Sequence, residues 1–207
     1  MSPRHAGWDE LVDVNVRGTL KLLEAATRAG VQQVVLAGTF AEYGLGASRY
    51  EFIPADAALL PTFPYAASKA AAFSMAHAFA VEKRLKLAYL RIFSAYGEGQ
   101  FEQNFWPALR KKALAGEDFL MTPGEQIRDY VPVERVAQAF VDAAELESIV
   151  PGAPWVRNVG TGRPVSMKEF AALWWERWNA KGQLLVGALP YRPNEVMRFV
   201  PQVDDLA

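Results

Sequence analysis

The chain has 207 residues, 51% of them hydrophobic and 22% charged, a globular composition long enough for one domain or a domain with a small lobe. A net charge of −1 gives no electrostatic footprint for nucleic acid or an anionic membrane surface, and the absence of cysteine excludes disulfides and thiolate metal sites. No apolar run approaches the roughly 20 residues of a membrane span, and MSPRHAGWDE lacks the apolar stretch of a signal peptide, so a cytoplasmic location is expected.

In chain order, Trp8 to Ala29 carries Leu11, Val14, Val16, Leu20, Leu22, Leu23 and Ala26 at helical spacing, with Gly30 as the stop. VQQVVLAG (31–38) is a β-branched run ending in glycine and predicts a buried strand. Residues 44–64, rich in Gly, Ser and Pro, read as a long loop; Tyr65 to Lys83 is an Ala-rich helix with Pro64 just ahead of it. LKLAYLRIF (85–93) predicts a second buried strand, followed by helices at about 104–116 and 132–146 and a short strand, WVRNVG (155–160). Ser166 and Glu169 make a capping box for a helix to about Asn179, and QLLVGAL (183–189) reads as one more strand. Helices alternating with buried strands mean an α/β fold with a mostly parallel sheet.

Tyr65 and Lys69 lie four apart at the start of their helix and therefore share one face. An ammonium near the phenol would favour phenolate and suit it to general acid/base work on a sugar hydroxyl. Such a spacing also arises by accident, and both residues could be ordinary helix positions. Thr39 stands just past the first strand, where open α/β sheets bind ligands, or it is a turn hydroxyl bonding its own backbone. The two histidines, His5 and His77, are far apart in sequence, and no metal is expected.

Seven stretches in order resemble the extended short-chain dehydrogenases/reductases, specifically the NAD-dependent nucleotide-sugar epimerase/dehydratase family. They are NVRGTLKLLEAA (15–26), GTFAEYG (38–44), YAASK (65–69), LRIFSAYGEGQ (90–100), IRDYVPVERVAQA (127–139), NVGTGRPVSMKE (158–169) and RPNEVMRF (192–199). The resemblance implies a partial Rossmann-like, doubly wound parallel sheet with a small C-terminal substrate lobe. Residues 1–100 would be the C-terminal part of a Rossmann-like domain, and 101–207 mainly the substrate-binding lobe, with about 127–165 returning to the core. It implies NAD or NADP as cofactor and a nucleotide-sugar as substrate. Tyr65 would exchange a proton with a sugar hydroxyl, Lys69 would hold the nicotinamide ribose and tune Tyr65, and Thr39 would bond the same oxygen. Asn104, Arg128 and Arg192 map onto the family's substrate contacts, two arginines suiting a diphosphate. Arg128 could instead form a salt bridge with Asp129 or Glu134, and Arg192 could be a solvated loop residue.

Two departures qualify this pattern. The sugar 4,6-dehydratases carry Asp-Glu directly after the Thr; here those positions are Phe40 and Ala41, with Glu42 one place late, so epimerisation or keto-reduction is expected rather than dehydration. The family's G-x-x-G-x-x-G turn, which receives the pyrophosphate, is not in the sequence; GLGASR (44–49) follows the Thr39 strand and is expected to open no helix. Its strands and helix amount to about 70 residues. The chain is therefore expected to be truncated, to expose an apolar sheet edge, and to pair through it with another copy or polypeptide. Two other readings remain: a non-catalytic nucleotide-sugar-binding module, and a structural partner using LWWERW (173–178).

Overall fold

The computed structural model describes residues 6–193 and 195–203. Its first helical stretch runs as α1 (Trp8–Leu11), a π-helical segment (Val12–Arg17) and α2 (Gly18–Arg28), with Gly30 at φ 74° ending it. The apolar spacing predicted one helix; the π segment widens it in the middle. There Asn15 Nδ2 donates to Ser68 Oγ at 2.9 Å, tying this stretch to the next helix.

The central sheet is parallel. Strand β1 (Gln33–Thr39) pairs with β2 (Lys86–Ile92) from Gln33↔Lys86 to Thr39↔Ile92, and α3 (Pro64–Lys83) is the crossover between them. Pro64 occupies the first turn of α3, where its missing N–H breaks no bond. After β2 come β3 (Ser94–Tyr96), α4 (Phe105–Ala115), β4 (Phe119–Met121), β5 (Ile127–Arg128), β6 (Tyr130–Pro132) and α5 (Val133–Glu145). β7 (Trp155–Val159) then returns to the sheet beside β2, from Ala88↔Trp155 to Ile92↔Val159, giving the order β1-β2-β7.

Both faces of this sheet are covered, which is why β2 reads as an almost unbroken apolar run. Leu87 packs with Leu23 of α2 and Ala76 and Ala80 of α3; Ala88 and Leu90, pointing the other way, pack with Val136 and Ala143 of α5. Among the described residues β1 pairs with β2 alone, so its other edge is open, and Ala37 is exposed there. The expected open edge is present among the described residues, with Ala37 the exposed residue of β1.

The remaining elements are β8 (Val165–Ser166), α6 (Met167–Arg177), β9 (Leu184–Val186) and β10 (Arg198–Phe199). Helices α4 and α6 enclose a second core of Leu109, Ala113, Met121, Ala171 and Trp175, flanked by the parallel pair β4–β9. Ser166 and Glu169 form the expected capping box on α6. Trp106 meets Trp174 and Trp178 edge to face, and those two rings are tilted against each other, so the tryptophans of LWWERW are packed against this core. Strand β5 lies between β10 and β8, and β3 pairs with β6. These two- and three-residue strands carry no readable period, and sequence inspection does not reveal them.

The 44–64 region departs from a plain loop. Leu45–Arg49, inside GLGASR, forms a 3-10 helix, contrary to the expectation that this stretch opens none. Gly44 (φ 48°) bridges to Leu60, and a Cβ there would lie 1.9 Å from the Leu60 carbonyl oxygen, so only glycine admits this close approach.

Candidate active site

At the carboxyl end of β1 the backbone turns straight into a 3-10 helix (Phe40–Tyr43), and the turn is built on a carboxylate. Glu42 Oε1 accepts from the Thr39 backbone N–H at 2.9 Å and from the Tyr89 hydroxyl at 2.8 Å, while its Oε2 accepts from Arg91 Nε at 2.8 Å. Glu42 is 0% exposed and Arg91 2%. Arg91 Nη1 also donates to the Ala55 carbonyl (2.7 Å) and the Tyr43 hydroxyl (3.3 Å), and Tyr43 donates to Asn158 Oδ1 at 2.6 Å. Gly38 makes room for this network, because a Cβ there would enter the Tyr89 ring and touch Glu42.

Thr39 Oγ1 accepts from the Ala41 N–H at 3.3 Å, which is the turn-hydroxyl alternative. The bond is long and leaves the hydroxyl proton free to be given elsewhere. Tyr65 is the second residue of α3 and half-buried, its ring 6.4 Å from that of Phe63. Ser68 Oγ, held by Asn15, donates to the Tyr65 carbonyl at 2.8 Å and fixes the start of the helix. One turn on, Lys69 Nζ donates to the Ala37 carbonyl at 2.6 Å, anchoring α3 to β1 two residues before Thr39.

The electrostatics correct one expectation. Burial raises the Tyr65 phenol above its ordinary value and the Glu42 carboxylate raises it further; Lys69 is not among the causes. Burial lowers Lys69, and Glu42 partly offsets this. With its ammonium on the Ala37 carbonyl, Lys69 is not among the groups that shift the phenol in this arrangement, and burial favours the protonated form of Tyr65. Thr39, bonded to Glu42, and Lys69, bonded to the Ala37 carbonyl, thus meet at the end of β1, with Tyr65 one turn before Lys69 on α3.

The other predicted residues make their contacts elsewhere, although Arg128 lies over the Phe199 ring, which packs on Phe40 beside Thr39. Arg128, 7% exposed, donates through Nη2 to Glu195 Oε1 (2.8 Å) and the Val196 carbonyl (2.9 Å). Its salt-bridge partner is therefore Glu195, not Asp129 or Glu134: the strand direction carries the guanidinium toward the 195–199 segment. Arg192 is exposed three residues before Glu195, whose N–H donates to the Arg192 carbonyl at 3.3 Å. Asn104 is the N-cap of α4 without a side-chain cap bond.

Sequence reasoning met Glu42 only as a displaced motif residue and passed over Tyr89 and Arg91. The readable signal was Arg91 itself, an arginine inside an apolar strand, which demands a buried partner. It also passed over Asp129, 0% exposed, whose carboxylate accepts from the Thr161 N–H and hydroxyl and from the Arg163 N–H, pinning the loop after β7. Burial raises the Asp129 carboxyl and these hydrogen bonds pull it back only in part. The folded state thus binds this proton more strongly than the unfolded chain, whose value is near 3.9. That contribution is full below the unfolded value and is lost as pH rises through the folded one. Asp129→Asn is expected to remove this falling limb from denaturant-melt stability plotted from acid to neutral pH. It should also destabilise by about 1–3 kcal/mol, since its amide N–H₂ would face N–H donors.

Residues 5–160 match the model of the NAD dependent epimerase/dehydratase family. The chain is 31% identical over 177 residues to a UDP-glucose 4-epimerase of Rhizobium meliloti (strain 1021), covering 76% of this chain and 52% of the relative. It is 32% identical over 163 residues to a dTDP-glucose 4,6-dehydratase of Streptomyces griseus, covering 78% and 48%. Among solved structures, MoeE5 in complex with UDP-glucuronic acid and NAD superposes with a TM-score of 0.85 at 30% identity, over 97% of this chain and 66% of that one. The chain spans about half the length of the curated relatives it matches. Among the described residues no helix is long and apolar enough to cross a membrane.

Proposed function

The chain belongs to the NAD dependent epimerase/dehydratase family, and from that premise we propose that it carries the proton-transfer and substrate-holding residues of an NAD(P)-dependent nucleotide-sugar epimerase or keto-reductase. The observation that carries this reading is the anchoring of Lys69 of α3 to Ala37 of β1, which sets Lys69, and Tyr65 one turn before it, beside Thr39 at the carboxyl end of β1, the end at which open α/β sheets bind ligands.

These residues fit the nicotinamide end of such a cofactor: Lys69 offers an ammonium anchored on β1 that can hold a ribose hydroxyl. A cradle for the pyrophosphate is not among the 207 residues, which contain no G-x-x-G-x-x-G turn. When bound, the nicotinamide supplies hydride chemistry at the sugar carbon. The chain's own residues handle the proton. Tyr65, kept protonated by burial and by Glu42, donates it to a keto oxygen while the Thr39 hydroxyl holds that oxygen in place. This state suits keto-reduction directly. Taking a proton from a hydroxyl, as epimerisation also requires, calls for Lys69 to turn from Ala37 toward the phenol.

Arg128 and Arg192 are the proposed diphosphate contacts, with Glu195 competing for Arg128 until the anion displaces it. Arg192→Ala, which removes an exposed side chain and spares the fold, is expected to weaken UDP binding about tenfold in a calorimetric titration, or about 1.4 kcal/mol. Unchanged affinity would remove Arg192 from the site. A non-catalytic nucleotide-sugar-binding module is the second reading; UDP binding without NADH binding in the same titration would select it. The domain division at about residue 100, a cytoplasmic location and pairing through the open β1 edge, with a second copy or another polypeptide, belong to the same proposal. Support comes from the separate α4–α6 core, the lack of cysteine and the exposed Ala37 edge.

A further inference from the structure

A cavity of about 730 Å³ opens between the 54–59 loop, α3 and β7, and none of Thr39, Tyr65, Lys69, Asn104, Arg128 or Arg192 lines it. Its volume falls within the range of small-molecule sites, roughly 300–1,000 Å³. Arg91 borders it. Three of the guanidinium's bonds are spoken for, Nε on Glu42 and Nη1 on Tyr43 and Ala55, whereas Nη2 has no partner among the described residues. Nη2 is also not among the enclosed polar atoms that lack a partner, which are Gln100 Oε1, Trp106 Nε1, Tyr130 OH and Trp174 Nε1. The 2% exposure that Arg91 retains is therefore at the cavity it lines.

We propose that this cavity binds a small organic carboxylate with a flat apolar body, its anionic group received by Arg91 Nη2. A buried donor of fixed orientation, held by Glu42 and by the Phe73 ring 4.4 Å from the guanidinium carbon, is preorganised for one acceptor. Phe73, Leu59 and Val156 supply apolar wall, and His77 and Gln202 stand at the border as further polar groups. Asp56 and Arg157 also line the cavity, one of each sign, and Arg91 is itself paired with Glu42, so the lining carries no surplus of positive charge for a polyphosphate and suits a monoanion. The site goes beyond the nucleotide-sugar reading and stands without it. It is connected to the candidate active site through Arg91, Glu42 and the Thr39 N–H, so occupancy is expected to be felt at Thr39.

The test is a sodium benzoate titration of the full ¹⁵N-labelled chain followed by NMR, with chloride holding ionic strength constant and benzamide as the neutral control. Saturable shifts are expected at Arg91 Nε–H and the Ala55 and Val156 amides, with a relayed shift at Thr39 and benzamide about tenfold weaker. His77→Glu, an exposed substitution that leaves the Glu42–Arg91 pair intact, is expected to weaken benzoate about tenfold by adding like charge at the mouth. The proposal is overturned by an absence of saturable shifts, by shifts confined to residues away from Arg91, by benzamide binding equally well, or by His77→Glu leaving benzoate affinity unchanged.

Discussion

Glu42→Ala is expected to lower the unfolding free energy by about 3–5 kcal/mol, the cost of leaving a buried charge without its partner. Arg91 would keep its guanidinium at 2% exposure with only a tyrosine hydroxyl and a carbonyl as acceptors, while the Thr39 N–H and Tyr89 hydroxyl would lose theirs. Burial pulls the Arg91 guanidinium down, and Tyr43 and Glu42 more than offset it, so it ends raised and charged. The loss should appear as a lower denaturant midpoint at unchanged slope. The double substitution Glu42→Ala/Arg91→Met removes both charges and should recover most of the loss. If the double variant were no more stable than Glu42→Ala, desolvation of the pair would not be the term that matters, and the turn geometry around Thr39 would be.

Tyr65→Phe is expected to reduce turnover of a nucleotide-sugar by about 10²–10⁴-fold while leaving UDP affinity unchanged. The substitution keeps the ring beside Phe63 and removes only the hydroxyl, so the fold and the diphosphate contacts are untouched. Because burial and Glu42 raise the phenol, the proton donor stays protonated through neutral pH. The keto-reducing rate should therefore be flat in that range and fall only at alkaline pH, as the proton is lost. A fall beginning below neutrality would show a different acid at work.

The sequence was most legible where a long period or a strong stop marked it. Strands 33–39, 86–92 and 155–159, with the helices between them, follow from short apolar runs, Gly30, Pro64 and the Ser166–Glu169 box, each a local rule with one outcome. Short pairings such as β5 with β10 were not legible, because two residues hold no pattern and their partners are fixed by the whole fold. At the site, Tyr65, Lys69 and Thr39 could be named from spacing and resemblance, but the direction of the Tyr65 shift could not. It depends on the burial of the phenol and, after that, on Glu42 lying close enough to act, and neither follows from a four-residue spacing. Glu42 itself was set aside as one place late in a motif, when its work is to hold the turn that presents Thr39.

The measurement that bears most directly on the account is single-turnover incubation of this chain with NADH and a UDP-4-keto-sugar, read by loss of reduced-cofactor fluorescence in the parent chain and in Tyr65→Phe. The account predicts consumption of NADH by the parent and at least about 100-fold slower consumption by Tyr65→Phe. Equal rates in the two, or saturable NADH binding with no consumption by either, would contradict the claim that Tyr65 supplies the proton.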